Sequence, residues 1–112
     1  MSTYYNKSVT ATAGAANATT GWVRVQCKPE RVVDISAFLE NDSSFLGTWQ
    51  VQARRRKEDS AGAVTYGTAI VLNGSGDTTS KINSYALIGD WEFQVIVTAY
   101  TSGSGTVGLF WS

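Results

Sequence analysis

Few side chains in this chain of 112 residues could carry out acid–base or metal chemistry. It contains no histidine, which removes the commonest general base and the usual metal ligand together. Cys27 is the only cysteine, so an internal disulfide and a cysteine-based zinc site are both excluded, and we interpret it as a small buried residue. The acidic residues are spread over turns and strand ends, and no catalytic pair of carboxylates stands out in the sequence, although folding could bring some of them together. We therefore expect no enzyme, no metal and no cofactor.

One cluster of charge stands out, and its cations are Arg54, Arg55, Arg56 and Lys57. Two acidic residues follow at once, so a solvated and self-neutralised hairpin tip is one interpretation. The other is a basic knob that docks on a carboxylate-rich or phosphate-bearing surface, since guanidinium groups bind such groups in a bidentate manner. Nucleic acid is not an expected partner, because the formal net charge is zero and the sequence has no second basic patch.

The aromatic residues could suggest a platform on which sugars stack, with four tryptophans and five tyrosines. The alternation of their neighbours assigns Trp49 and Trp91 to the core. Trp22 and Trp111 have polar or small residues around them, so we expect them at an interface or in a shallow ligand site. The candidate interface residues are Tyr4, Tyr5, Trp22, Arg54, Arg55, Arg56, Lys57 and Trp111.

The elements that would position these residues are strands. No segment has apolar residues at helical spacing over ten or more positions, and strand-like runs recur about every 10 to 15 residues. In "FLGTWQVQARRR" the alternation places Trp49, Val51 and Ala53 inward. The sequence predicts an all-β fold over residues 21–112, a single antiparallel β-sandwich of seven or eight strands, with a flattened barrel as the alternative. Jelly-roll and immunoglobulin-like connectivity both remain open.

The two ends of the chain lead to separate expectations. Residues 1–20 are dominated by Ala, Thr, Ser, Asn and Gly, and we predict a flexible N-terminal arm. At the other end, "TSGSG" separates two strand-like runs, so we predict a closing hairpin. Phe38, Ile96, Leu109 and Trp111 fall on the alternate faces of their runs, which predicts an apolar surface patch and self-association. Neither a secretory pattern nor an apolar run of about 20 residues is present, so we expect a cytoplasmic product that does not bind membranes.

Two stretches of the sequence, "SFLGTWQVQARR" and "VTAYTSGSGTVGLFWS", carry a family resemblance. They resemble a small β-sandwich module of tailed-bacteriophage virion proteins, in which F-x-G-T-h-x-h-x-R precedes a hairpin and the chain closes near A-x-T-S-G-T-h-x-h. The first pattern is carried by Phe45, Gly47, Thr48, Trp49, Val51 and Arg54. The second is carried by Ala99, Thr101, Ser102, Gly103 and residues 106–111. This chain departs from the pattern where "RRRK" replaces a single arginine and where the hairpin loop lacks an Asp-Gly pair.

The resemblance implies a non-enzymatic structural subunit of a phage particle, such as a capsid decoration or cement protein or a neck or tail component. Such a subunit is located in the virion, assembles in the host cytoplasm and binds other phage structural proteins. We expect a homo-oligomer such as a trimer, in which residues 1–20 or residues 54–57 contact the underlying shell. The alternative is a carbohydrate- or receptor-binding module of a tail fibre, which requires an exposed Trp22 or Trp111.

Overall fold

A computed structural model describes residues 7–26 and 32–111, and every regular element in these ranges is a β-strand. All of the strand pairings are antiparallel. The all-β antiparallel class predicted from the sequence is therefore confirmed. In the described ranges no helix could cross a membrane. The strands are β1 (Lys7–Thr12), β2 (Val23–Gln26), β3 (Val32–Glu58), β4 (Val64–Tyr66), β5 (Ile70–Val71), β6 (Lys81–Ile88) and β7 (Asp90–Trp111).

Two long strands, β3 and β7, organise the sheet by pairing with each other along most of their length. The beginning of β3 lies between β6 and the end of β7, which in turn pairs with β1. We call these four segments half A. The end of β3 lies between the beginning of β7 and the short strands β4 and β5, and β2 pairs with the beginning of β7. We call these segments half B.

Both long strands bend where half A meets half B. The pairing between β3 and β7 shifts register at several points between residues 40 and 49. Glycines let the two backbones approach each other at the bend. A Cβ atom on Gly105 would lie 2.5 Å from the Glu40 carbonyl oxygen, and one on Gly47 would collide with the Ala99 carbonyl oxygen. A side chain at either position would therefore push the strands apart.

The closing hairpin predicted at "TSGSG" is wrong, because β7 continues through this segment to Trp111. The two parts of β7 pair with the two parts of β3 and not with each other. Serine and glycine permit a bend in a strand as readily as a reversal, and only the partner strand decides between them. Here β3 bends at the same place and supplies a partner on both sides of the bend.

The inward side chains of both halves form one hydrophobic core. Hydrogen bonding continues from half A to half B through β3 and β7, so the strands make one bent sheet around this core. Two separate layers, as in a sandwich, therefore stay a prediction. The inward positions predicted for Trp49, Val51 and Ala53 are confirmed. The largest fully buried side chains are Trp49, Phe93, Ile35, Leu39, Leu109, Val51, Val95, Val97 and Val107.

Two residues predicted on the surface, Phe38 and Leu109, are buried instead. The sequence could not show which alternate residues after "TSGSG" face inward. Strand β7 places Leu109 opposite Ala37, inside the core. Phe38 lies on the opposite face of half A and stacks on Phe110, with ring centroids 5.0 Å apart. Its ring covers the neighbouring Gly108, which has no side chain to occupy that space.

The arm predicted for residues 1–20 does not describe residues 7–20, which lie against the sheet. Strand β1 pairs with the end of β7, and Val9 packs against the core. Ala13 is fully buried, while the Asn17 and Thr20 amides donate to β7 carbonyl oxygens at 2.8 and 3.1 Å. Composition could not predict this order, because it comes from pairing with an edge formed at the far end of the chain. Tyr4, Tyr5 and Cys27 lie outside the described residues.

Candidate interface

The four clustered cations lie at the end of β3, where it pairs with β4 as a hairpin. The turn is held by Asp59, whose carboxylate accepts hydrogen bonds from the Ala61 and Ala63 amides at 2.9 Å. The predicted hairpin tip is therefore present. Because side chains alternate along a strand, Arg54 and Arg56 lie on one face of the hairpin and Arg55 and Lys57 on the other.

Arg54 is held inside half B. Its Nε and Nη2 atoms donate to Glu92 Oε1 at 2.9 and 2.6 Å, and Glu92 is its cross-strand neighbour on β7. The guanidinium plane lies between two rings, 4.2 Å from the centre of Trp22 and 3.9 Å from the centre of Tyr66. Cation–π stacking and the ion pair together occupy this side chain. Arg54 is therefore a structural residue more than a contact for a partner.

Arg56 joins a second set of ion pairs on the same face. It lies 3.3 Å from Glu58 Oε1 and 3.5 Å from Asp90 Oδ2. Arg24, on β2, donates to both oxygens of Asp90, at 3.1 and 2.8 Å. The hydrogen bond from Arg24, together with the positive charges of Arg24 and Arg56, holds the pKa of the Asp90 carboxyl below its ordinary value. Three arginines and three carboxylates thus neutralise one another, and we call Arg24, Arg54, Arg56, Glu58, Asp90 and Glu92 the arginine–carboxylate network.

A row of amide side chains continues this polar face. Gln94 Nε2 donates to Gln52 Oε1 at 2.8 Å, and Gln52 Nε2 donates to Gln50 Oε1 at 3.0 Å. Gln50 in turn reaches the Ser75 carbonyl oxygen, and Thr19 Oγ1 donates to Gln94 Oε1. Within the described residues, no buried side-chain nitrogen or oxygen lacks a hydrogen-bond partner. The outer face of half B is therefore polar but already satisfied by its own contacts.

Arg55 and Lys57 differ from the two other arginines of the cluster. Both are exposed, and neither forms an ion pair with a carboxylate of the described residues. Their cross-strand neighbours explain this, because Arg55 lies opposite Trp91 and Lys57 opposite Thr65, neither of which is acidic. As far as the structure describes the chain, the hairpin thus presents two positive charges without an ion-pair partner to solvent on one face.

The remaining candidate residues are divided between the halves. Trp22 is half-buried against Arg54 in half B, and Trp111 is half-buried at the end of β7, where it packs against the core in half A. The structure therefore brings Trp22 and Arg54 together and places Trp111 apart from them. The residues that sequence reasoning missed are Arg24, Tyr66, Asp90 and Glu92.

Strand alternation was the only signal for the missed residues. Glu92 stands at an outward position of its run, as Arg54 does in its own, but the pairing between their strands cannot be read from either run alone. The described residues contain no group of three or more acidic, cysteine or histidine side chains that could hold a metal ion. The charged and aromatic groups of this face can bind a partner through charge and stacking.

Comparisons with known proteins add little to this description. No protein-family model matches the chain, and no curated protein matches it. Among solved structures, it is similar to a chain described as the crystal structure of PirA, at 16% sequence identity and a TM-score of 0.44. That match covers 100% of this chain and 97% of the PirA chain.

Proposed function

We propose that this protein is a non-enzymatic structural subunit of a tailed-phage particle. It binds the capsid or the neck or tail surface through protein contacts and stabilises the assembly. The resemblance of "SFLGTWQVQARR" and "VTAYTSGSGTVGLFWS" to virion β-modules supports the class of particle. The observation that carries the mode of attachment is a pair of exposed cations, Arg55 and Lys57, which form no ion pair with the described residues. They lie on a hairpin whose other arginines are neutralised.

The partner that fits this hairpin is an acidic protein surface. The carboxylates nearest in sequence are already engaged: Glu58 pairs with Arg56, and Asp59 holds the turn. Each exposed charge pair contributes only about 0.2–1 kcal/mol, so one copy binds weakly. A particle with a symmetrical surface presents many equivalent sites, and copies that contact one another gain from multivalency.

Particles assembled without this protein provide the test. We expect added wild-type protein to bind them, and we expect Arg55→Glu and Lys57→Glu each to weaken binding about fivefold, as loss of about 1 kcal/mol requires. Lys7→Glu is the matched control, since it changes the net charge equally at an exposed site in half A. Added salt should weaken wild-type binding more than that of the two hairpin variants.

Two outcomes would contradict different parts of this proposal. Wild-type protein that does not bind the particles overturns the particle role. Wild-type binding with full binding by both hairpin variants overturns attachment through Arg55 and Lys57 and leaves the particle role standing.

A second candidate is a carbohydrate- or receptor-binding module of a tail fibre. On the outer face of half B, Arg54 contacts the rings of Trp22 and Tyr66 and the carboxylate of Glu92. Aromatic rings and carboxylates are groups that sugar sites use, and Tyr66 is 46% exposed. Arg54 fills the space between the two rings, which leaves a ligand only their outer surfaces. A glycan array probed with wild-type protein and Tyr66→Ala tests this candidate, and an array without signal excludes it for the glycans present.

A further inference from the structure

Half A has β1 at one edge and β6 at the other. Within the described residues, β6 pairs only with β3. In an antiparallel pair, alternate residues direct their N–H and C=O groups away from the partner strand. As far as the described residues go, the other side of β6 is therefore a row of unpaired backbone donors and acceptors. Such a row is a ready template for a further strand.

Strand β6 also lacks the features that usually protect an edge, which are internal charges, proline and bulges. Its eight residues, "KINSYALI", contain one charge, Lys81, at the first position. The register with β3 is regular along the whole strand. Ile82 is 68% exposed, more than any other large hydrophobic side chain of the described residues. A flat edge strand with little charge and an exposed apolar side chain is a site where a further strand can pair.

We propose that β6 pairs antiparallel with β6 of a second copy of this chain, across a two-fold axis at Ser84. This register places Ile82 of one copy beside Ala86 of the other, both on the outer face of half A. It also places Lys81 beside Leu87, so the two lysines do not face each other. We favour a second copy as the partner strand, because this register places the exposed Ile82 beside an apolar residue and keeps the two Lys81 charges apart.

The opposite edge strand of half A, β1, is less suited to the same contact. Strand β1 presents Ser8, Thr10 and Thr12 on the outer face, and none of them offers an apolar partner to Ile82. The zero formal charge of the chain leaves no net repulsion between copies. A two-fold contact forms a dimer, in contrast to the trimer expected from the family resemblance, and it joins the half A segments of both copies into one sheet. It does not depend on attachment to a particle.

Substitution of Ile82 by lysine is the direct test, because an exposed lysine is a natural way to block an edge strand. We expect wild-type protein to sediment as a monomer–dimer equilibrium and Ile82→Lys to weaken the dimer at least about tenfold. Leu46→Lys is the matched control, since Leu46 is 57% exposed at the bend and lies outside β6. Unchanged circular dichroism in both variants shows that the fold persists.

Cysteine pairs test the register. In a Cys27→Ser background, a mixture of Ile82→Cys and Ala86→Cys chains should form an intermolecular disulfide, because residues directly opposite each other have suitable Cα separations. Ile82→Cys alone should not, since the two copies of residue 82 lie on opposite sides of the axis. A wild-type monomer at all concentrations, a trimer, or a dimer that Ile82→Lys leaves intact would each overturn the proposal.

Discussion

Arg54 and Arg55 are neighbours in the chain and have opposite surroundings. Arg54 is stacked between two rings and paired with Glu92, whereas Arg55 faces solvent opposite Trp91. Alternation along the strand separates them, and this step could be predicted from the sequence. The identity of the partners could not, because Glu92 and Tyr66 reach Arg54 only through the pairing of distant strands. The sequence therefore located the charge cluster and left open which of its cations are free.

At the residue scale, the lowered pKa of Asp90 predicts a pH dependence of stability. A carboxyl with a depressed pKa in the folded state stabilises the fold above its unfolded pKa, and this contribution is lost as the pH falls through the folded pKa. We expect Asp90→Asn to lower the free energy of unfolding at neutral pH by about 1 kcal/mol. The difference from wild type should disappear well below the ordinary aspartate value of 3.8.

Urea unfolding across this pH range measures the effect. Asp34→Asn is the control, because Asp34 is exposed and forms no ion pair with the described residues. The prediction is contradicted if both variants lose the same free energy of unfolding, or if the loss in Asp90→Asn persists in acid. Either result would show that the hydrogen bonds from Arg24 do not stabilise the fold through the ionised carboxyl.

At the element scale, the bends of β3 and β7 decide the architecture. The sequence predicted the strand periodicity and the inward residues of the central run, such as Trp49 and Val51, because alternation is a local property. It led us to predict a hairpin loop at "TSGSG", because residues that permit turns also permit bends. Whether such a segment reverses the chain or only bends it depends on the strand beside it, which lies far away in the sequence.

The bend predicts that Gly47 tolerates no side chain. A Cβ atom there would collide with the Ala99 carbonyl oxygen and lie 2.8 Å from Cζ of Phe45, which is buried. We expect Gly47→Ala to lower the free energy of unfolding by about 1–3 kcal/mol. Gly14→Ala serves as the control, since its nearest new contact is 3.6 Å away, and it should be neutral or slightly stabilising. Thermal unfolding of the two variants is the measurement. A lower melting temperature for Gly47→Ala alone shows that the collision at this position destabilises the fold, and not the replacement of a glycine in general.

At the scale of the whole molecule, one core is built from both halves of the sheet, and residues near the N-terminus belong to it. Composition failed to predict this, because small polar residues such as those of β1 are ordered here by an edge that β7 provides. The all-β class could be predicted from the sequence, because it requires only that apolar and polar residues alternate along each strand. The order of the strands could not be predicted, because the alternation within one strand does not show which distant strand it pairs with or in what register.

Removal of residues 2–20 is therefore expected to damage the fold and not only an attachment arm. The deletion removes β1, the buried Ala13 and the amides of Asn17 and Thr20 that bond to β7. Such a loss is comparable with the total stability of about 5–15 kcal/mol that is typical of a domain, so we expect an unfolded or aggregated product. Circular dichroism and gel filtration measure this. Removal of residues 2–6 is the control, and a deletion of 2–20 that still melts cooperatively like the control would contradict the expectation.

The pairing of β1 with the last residues of β7 has a consequence for biosynthesis. Val9 can meet its partner Leu109 only after β7 has left the ribosome. Until then the first strand has no neighbour, and closing so long a loop makes this step slow compared with local pairing. The first strand therefore stays without its sheet partner while the segments between it and β7 are synthesised.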